Sequence, residues 1–477
     1  MGQITRTRKI MILVYLLFAI TANLNAQDKH PQKSNEPHSI LDSDREVTHG
    51  SLHNLKELFG LGTITGHLRN YFMSTINEGS LTDYYANAIG GAMRFRSHEF
   101  YGFEFGAAGI FTYKVFSSDL NEVDPVAGGF SKWEHELFDV LDFDNFNDLD
   151  RLEELYVTYN LKDGFITYGK MEIEDTPLMN RQDGRMKPFA FKGLWFHYAL
   201  SENQLLYATW IDQISPRSTV EWFDFNEGIG LANQGFQPNG TEAEYHEALE
   251  SDGLAMLGYR TQLRDFSLEF YQWYIHHLNH TSWLSLEYEN QNWKLGVQYT
   301  LQFPDSYQRE LEYGERYMQP AERGQVLSSR VEFLQADWSL WAAYTHAFNN
   351  GRFLFPRELG RDHFYTSLAR SRLEGFGDMD VITLGANYHF GHDHFTGGLA
   401  YTRLFGPETD AFEFNKYNLD AYQQFNFHLD YAFTGFLDGL HMSLLYVYKN
   451  NLNYTDPEVI FNQSNYHQLN FVTNFDF

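Results

Sequence analysis

The chain of 477 residues is 17% aromatic, yet its mean hydropathy is −0.45. Lys and Arg number 35 against 63 Asp and Glu, and the net charge of −28 leaves no basic surface for sequence-independent nucleic-acid binding. Cysteine is absent, which excludes thiol catalysis, Cys-ligated zinc, iron–sulfur clusters and disulfides.

Residues 1–9 contain Arg6, Arg8 and Lys9 and no acid; residues 10–20, IMILVYLLFAI, are unbroken in their apolarity. Ala22 and Ala26 follow. A basic start, a short apolar run and a small residue at the exit predict an export signal cut after Ala26. The run is shorter than the ~20 residues a spanning helix needs. Residues 27–60 are polar and turn weakly helical from Ser51 to Phe59. They are expected on the periplasmic side and are too short to plug a large transporter.

From residue 61 onward the dominant signal is alternation. In WKLGVQYTLQF (293–303), Trp293, Leu295, Val297, Tyr299, Leu301 and Phe303 share one face. Lys294, Gly296, Gln298, Thr300 and Gln302 share the other, because side chains alternate along a strand. Phe425, Phe427, Leu429, Tyr431 and Phe433 repeat the pattern, as do Leu469, Phe471, Thr473, Phe475 and Phe477. The segments run about ten residues, the ~9–11 that a tilted strand needs to cross a bilayer.

About 18 such segments lie between 62–73 and 465–477, or 16 if the weak ones at 253–262 and 326–335 are not strands. Short links (Lys162–Gly164, Ser201–Asn203) alternate with long ones (115–151, 214–252, 304–325, 348–378, 405–421). This predicts an all-β transmembrane antiparallel barrel in the outer membrane of a Gram-negative cell, short turns in the periplasm and long loops outside. A charge at outward Val297 should be costly, and one at inward Gln298 tolerated. The terminal aromatic strand, Asn465 to Phe477, is the feature barrel-assembly machinery is expected to read.

Residues 165–193, FITYGKMEIEDTPLMNRQDGRMKPFAFKG, carry more than a pattern. Gly169, Pro177, Leu178, Asn180, Asp183, Arg185, Pro188, Phe191 and Gly193 resemble the motif of OprD-type outer-membrane porins. Leu68–Phe72, Asp212–Arg217 and the hairpin Phe427–Asn450 are similar in part. The resemblance implies an 18-stranded channel for small hydrophilic solutes, often carboxylates or amino acids. Small sugars are a further candidate solute, a monomer or trimer is expected, and no enzyme activity and no cofactor are expected. The resemblance also implies an inward-folded loop near 173–190. That loop supplies Glu172, Glu174, Asp175, Arg181, Asp183, Arg185 and Lys187 as candidate constriction residues. Arg69, Arg94, Arg96, Lys170 and Arg330 are the expected basic wall. Inward acids such as Glu104, Glu154, Glu269, Glu287 and Glu332 depart from the family's basic ladder.

The remaining motifs are weaker. Asp142, Asp144 and Glu153 have EF-hand spacing, but Phe146 and Asn147 stand where an acceptor and Gly are required. His276, His277 and His280, and His392 with His394, lack a further ligand at metal-site spacing, so no metal centre is expected. No nucleophile elbow or phosphate loop occurs. The other classes weighed are a barrel whose long loops bind a surface partner and an outer-membrane enzyme.

Overall fold

The structure is a computed structural model that describes residues 60–477 except 174, 182–184, 247 and 392–393. The expected export signal, residues 1–26, and the segment 27–59 lie outside the described residues. Nineteen strands follow in order. They are β1 (Thr63–Asn77), β2 (Tyr84–Arg96), β3 (Phe103–Ser117), β4 (Arg151–Leu161), β5 (Gly164–Met171), β6 (Ala190–Ser201), β7 (Gln204–Ser215), β8 (Phe223–Asp224), β9 (Leu254–Leu263) and β10 (Phe266–Ile275). The second half holds β11 (Asn279–Glu289), β12 (Trp293–Pro304), β13 (Gln325–Leu334), β14 (Trp338–Ala347), β15 (Met379–His389), β16 (Phe395–Phe405), β17 (Tyr422–Ala432), β18 (Leu440–Asn451) and β19 (Tyr466–Asp476).

β8 is a two-residue piece paired only with the end of β7. The other eighteen form a closed antiparallel barrel, each bonded to the next, β7 to β9, and β19 back to β1. Both weak segments, 253–262 and 326–335, are strands, so the count is 18 rather than 16. Closure runs through Phe72 opposite Phe471, and Gly66 and Phe477 exchange backbone hydrogen bonds of 2.8 and 2.9 Å. No strand edge is left unpaired in the barrel, which a bilayer requires.

The alternation sets the two faces. Leu295, Val297, Phe425 and Phe475 are exposed on the outside, whereas Gln298, Thr300 and Gln302 are buried inside. Val297→Lys is expected to cost about 2–4 kcal/mol near the midplane of the apolar band, measured by urea unfolding of the barrel in lipid vesicles. A cost below that of Leu→Ala at the same depth would refute the assigned face.

The inside departs from the expected water-lined wall. Links 162–163, 202–203 and 264–265 close one end; 118–150, 172–189, 216–253, 305–324, 348–378 and 406–421 leave from the other. Several of these long loops turn into the barrel. The run Phe353-Leu354-Phe355 of loop 348–378 packs with Trp273, Trp283, Val326 and Met379 of the walls. Burying each such side chain favours the inward path by ~1.5–3 kcal/mol. A second apolar cluster joins Leu120, Leu137 and Phe138 of loop 118–150 to Tyr71, Met73 and Tyr84. Gln298 therefore does not face open water. Its amide donates to the His363 carbonyl at 3.2 Å. Gln298→Lys is accordingly expected to displace loop 348–378 and expose it to protease, with the barrel intact.

Candidate functional site

The anchor of loop 172–189 is built on a bulge. The β3–β4 ladder slips between Ala108 and Gly109, so Glu153 is an extra residue on β4. A bulge re-aims side chains, and Glu153 and Glu154 are both buried. Arg94 of β2 donates to Glu154 at 2.8 Å and pairs with Glu172 at 2.6 Å. Arg181 pairs with Glu172 at 2.5 Å and reaches Glu153 at 3.9 Å. Arg151 pairs with Glu153 at 2.7 Å and donates to the Pro188 carbonyl at 2.8 Å. A cavity of about 10 Å³ beside these charges has room for one water.

Glu172 is thus shared by a wall arginine and a loop arginine. Glu172→Ala leaves both guanidiniums short of a partner, and breaking such a pair costs about 3–5 kcal/mol when buried. The expected outcome is release of loop 172–189, seen as new proteolysis between 172 and 189, while Glu172→Asp retains protection.

The other expected residues divide. Arg185 is buried, pairs with Glu136 of loop 118–150 at 2.9 Å, and its carbonyl accepts from Arg69 at 2.6 Å. Asp175 accepts the Arg181 amide at 2.7 Å. Lys187 is fully buried at the loop's end, and burial pushes its ammonium down to about 7. Glu174 and Asp183 lie outside the described residues. On the wall, Arg96 faces Glu104 at 3.9 Å and Arg330 pairs with Glu332 at 2.7 Å. Among the described residues, neither is paired with loop 172–189.

Lys170 does not belong with the wall. On β5 Phe165, Thr167, Gly169 and Met171 are buried inside, so Lys170 shares the outward face with exposed Tyr168. Its ammonium lies 4.2 Å from the centre of the Trp222 ring. The sequence reading placed it one position out of phase.

Loop 348–378, which the motif did not point to, spans the interior. Thr366 hydrogen-bonds Thr345 of β14 at 2.7 Å, the Ala369 carbonyl accepts from Gln424 of β17 at 2.7 Å, and Arg370 donates to Asn470 of β19 at 3.0 Å. It crosses loop 172–189 on the way: Asn180 donates to the Arg361 carbonyl at 2.7 Å and the His363 amide to the Pro177 carbonyl at 3.1 Å. At the crossing a Cβ on Gly360 would stand 2.2 Å from the Leu178 carbonyl oxygen, so only glycine permits this approach.

The crossing collects arginines. Arg185 and Arg217 both pair with Glu136 at 2.9 Å. Arg361 donates to the carbonyls of Leu368 and Ser371, Arg372 to that of Gly360, and Arg370 to Gln468 and Asn470. Among the described residues, none of these last three has a carboxylate at ion-pair distance. Burial, with Arg185, Arg372 and Arg370 nearby, pushes Arg217 down to about 10. Burial, with Arg372 and Arg370 nearby, does the same to Arg361. Burial opposes ionisation of Glu136, but Arg217, Arg185 and Arg370 outweigh it and hold the carboxyl at about 2. Sequence reading missed this cluster. The available signal was five arginines (352, 357, 361, 370 and 372) in a segment otherwise read as an outer loop.

The fold and this interior define a membrane-spanning β-barrel with a loop-constricted, arginine-rich lumen. It is the fold of the OprD-type porins. The chain is similar to OccK9 (OpdG) of Pseudomonas aeruginosa, with a TM-score of 0.68, 14% identity, and 88% of this chain and 99% of that one covered. It is similar to Acinetobacter baumannii OccAB2, with a TM-score of 0.67, 13% identity and coverage of 88% and 99%. OpdK of Pseudomonas aeruginosa, solved with vanillate, matches with a TM-score of 0.62, 16% identity and coverage of 88% and 99%. No protein-family model and no curated protein matches the sequence.

Proposed function

We propose that the chain is an outer-membrane diffusion channel for small hydrophilic solutes and that its constriction favours those carrying a carboxylate. The observation that carries this reading is the set of guanidiniums, Arg361, Arg370 and Arg372, gathered near where two inward loops cross and, among the described residues, without a carboxylate at ion-pair distance. Guanidinium binds carboxylate through paired N–H donors, and confinement strengthens the charge interaction. The closed 18-stranded barrel supplies the path, with its loop end outside the cell and its turn end in the periplasm. OpdK, of the same fold, was solved with vanillate, itself a carboxylate. Glu172, Arg181 and Arg185 serve here to hold loop 172–189, and through it the constriction. The work done is transport, with no bond made or broken.

Reversal potentials across planar bilayers under a salt gradient test the reading. Chloride is expected to permeate ahead of potassium, and benzoate to reduce the chloride current by competing for the same arginines. A cation-selective channel unaffected by benzoate would overturn it.

A further inference from the structure

Loop 118–150 brings one carboxylate into the arginine cluster, and its position is unusual. Glu136 follows His135 in a short 3-10 turn, His135–Leu137, whose His135 and Leu137 are buried, Leu137 and the next residue Phe138 packing with Tyr71, Met73 and Tyr84. Two hydrogen bonds tie the turn and the residues after it to Ser218. The Ser218 hydroxyl donates to the Glu136 carbonyl, and Val140 donates to the Ser218 carbonyl at 3.0 Å. The Glu136 side chain therefore projects from a rigid base. One of its oxygens, Oε2, takes both Arg185 and Arg217 at 2.9 Å. Two cations share one anion, and Arg370 adds a third positive neighbour. Glu136 keeps only 12% of its side-chain surface exposed.

We propose that Glu136, held in place by buried Arg185, is a resident counter-ion that occupies the place a permeating carboxylate takes at the more accessible Arg217, and so sets how strongly the constriction selects anions. The inference rests on the channel reading above but concerns a different quantity, the part of the cationic field that the protein cancels for itself. A constriction of arginines alone would hold an anion too firmly to release it. A tethered carboxylate competes for the same donors and lets the solute leave, since conduction requires sites that bind and let go. The competition does not switch with ambient pH, because the carboxyl stays ionised well below neutrality.

The experiment compares wild type, Glu136→Gln and Glu136→Asp in planar bilayers with potassium chloride, then with potassium benzoate. Glu136→Gln is expected to raise the chloride-to-potassium permeability ratio at least about fivefold, the factor by which one unit charge at ~4 Å through water acts on a single ion. It should also lengthen benzoate block. Glu136→Asp should stay near wild type, because charge and not packing is at issue. Arg217→Gln should lower the ratio, and the double variant Glu136→Gln/Arg217→Gln should return it toward wild type. A collapsed loop would not produce that return. An unchanged ratio in a Glu136→Gln barrel that keeps its heat-modifiable mobility would overturn the inference. Wild-type cation selectivity with the same rise on Glu136→Gln would instead overturn the channel's anion preference and leave the role of Glu136 standing.

Discussion

Excising residues 353–374 and joining the ends with a short Gly-Ser link is expected to raise single-channel conductance several-fold and to abolish most ionic selectivity. Loop 348–378 runs from β14 past loop 172–189 to β19, so no other described segment is bonded to so many parts of the inner wall. Its removal also deletes Arg357, Arg361, Arg370 and Arg372. The barrel itself should persist, since its ladders are bonded strand to strand and do not pass through the loop. Excising 176–186 should have the same sign and a smaller effect. That loop is pinned at the wall by Arg94 and Arg151, but it spans less of the interior. Planar-bilayer conductance settles the ranking. A 353–374 deletion with wild-type conductance in a heat-modifiable barrel would place the path elsewhere.

The triple variant Arg361→Gln/Arg370→Gln/Arg372→Gln is expected to lower the anion-to-cation permeability ratio by about tenfold or more, three charges each acting through partly screened space. Glutamine keeps an amide donor for the carbonyls of Leu368, Ser371 and Gly360, so the loop's course should survive. The effect should shrink in 1 M salt, where the screening length falls to ~3 Å. If the ratio does not move at low salt, the cluster is a structural clamp and carboxylate selection has no support. Single substitutions rank the three: Arg370 reaches Asn470 on the far wall, whereas Arg361 and Arg372 bond within their own loop.

The interior shows where pattern reading stops. Lys170 reads as inward when the basic-wall expectation is applied without the local phase of β5, a strand of eight residues between a two-residue link and loop 172–189. The neighbouring residues Phe165, Thr167 and Met171 carried the correct phase, since their burial inside fixes Lys170 outside. Arg94 and Glu172 come from separate stretches, and the other two carboxylates of their network, Glu153 and Glu154, lie at a bulge in β4. Nothing in the residues of β4 announces that extra position.

What the sequence determined by itself is the barrel: alternation shows which side of most strands meets lipid, and ten-residue strands with alternating short and long links point to an antiparallel closure of 16 or 18 strands, a choice the structure made for 18. These are local properties, repeated along the chain, and a strand's two faces follow from its backbone geometry alone. What only the tertiary structure decided is the lumen. Loop 348–378 reads as an exposed connector, because a Phe-Leu-Phe run and five arginines have no periodicity to declare a destination. Its path is set by apolar side chains on strands far away in sequence, Trp273, Trp283 and Met379 among them. Only when the barrel closes do those walls form a cavity in which burying the loop's apolar side chains outweighs ordering its backbone, and the arginines are carried in with them.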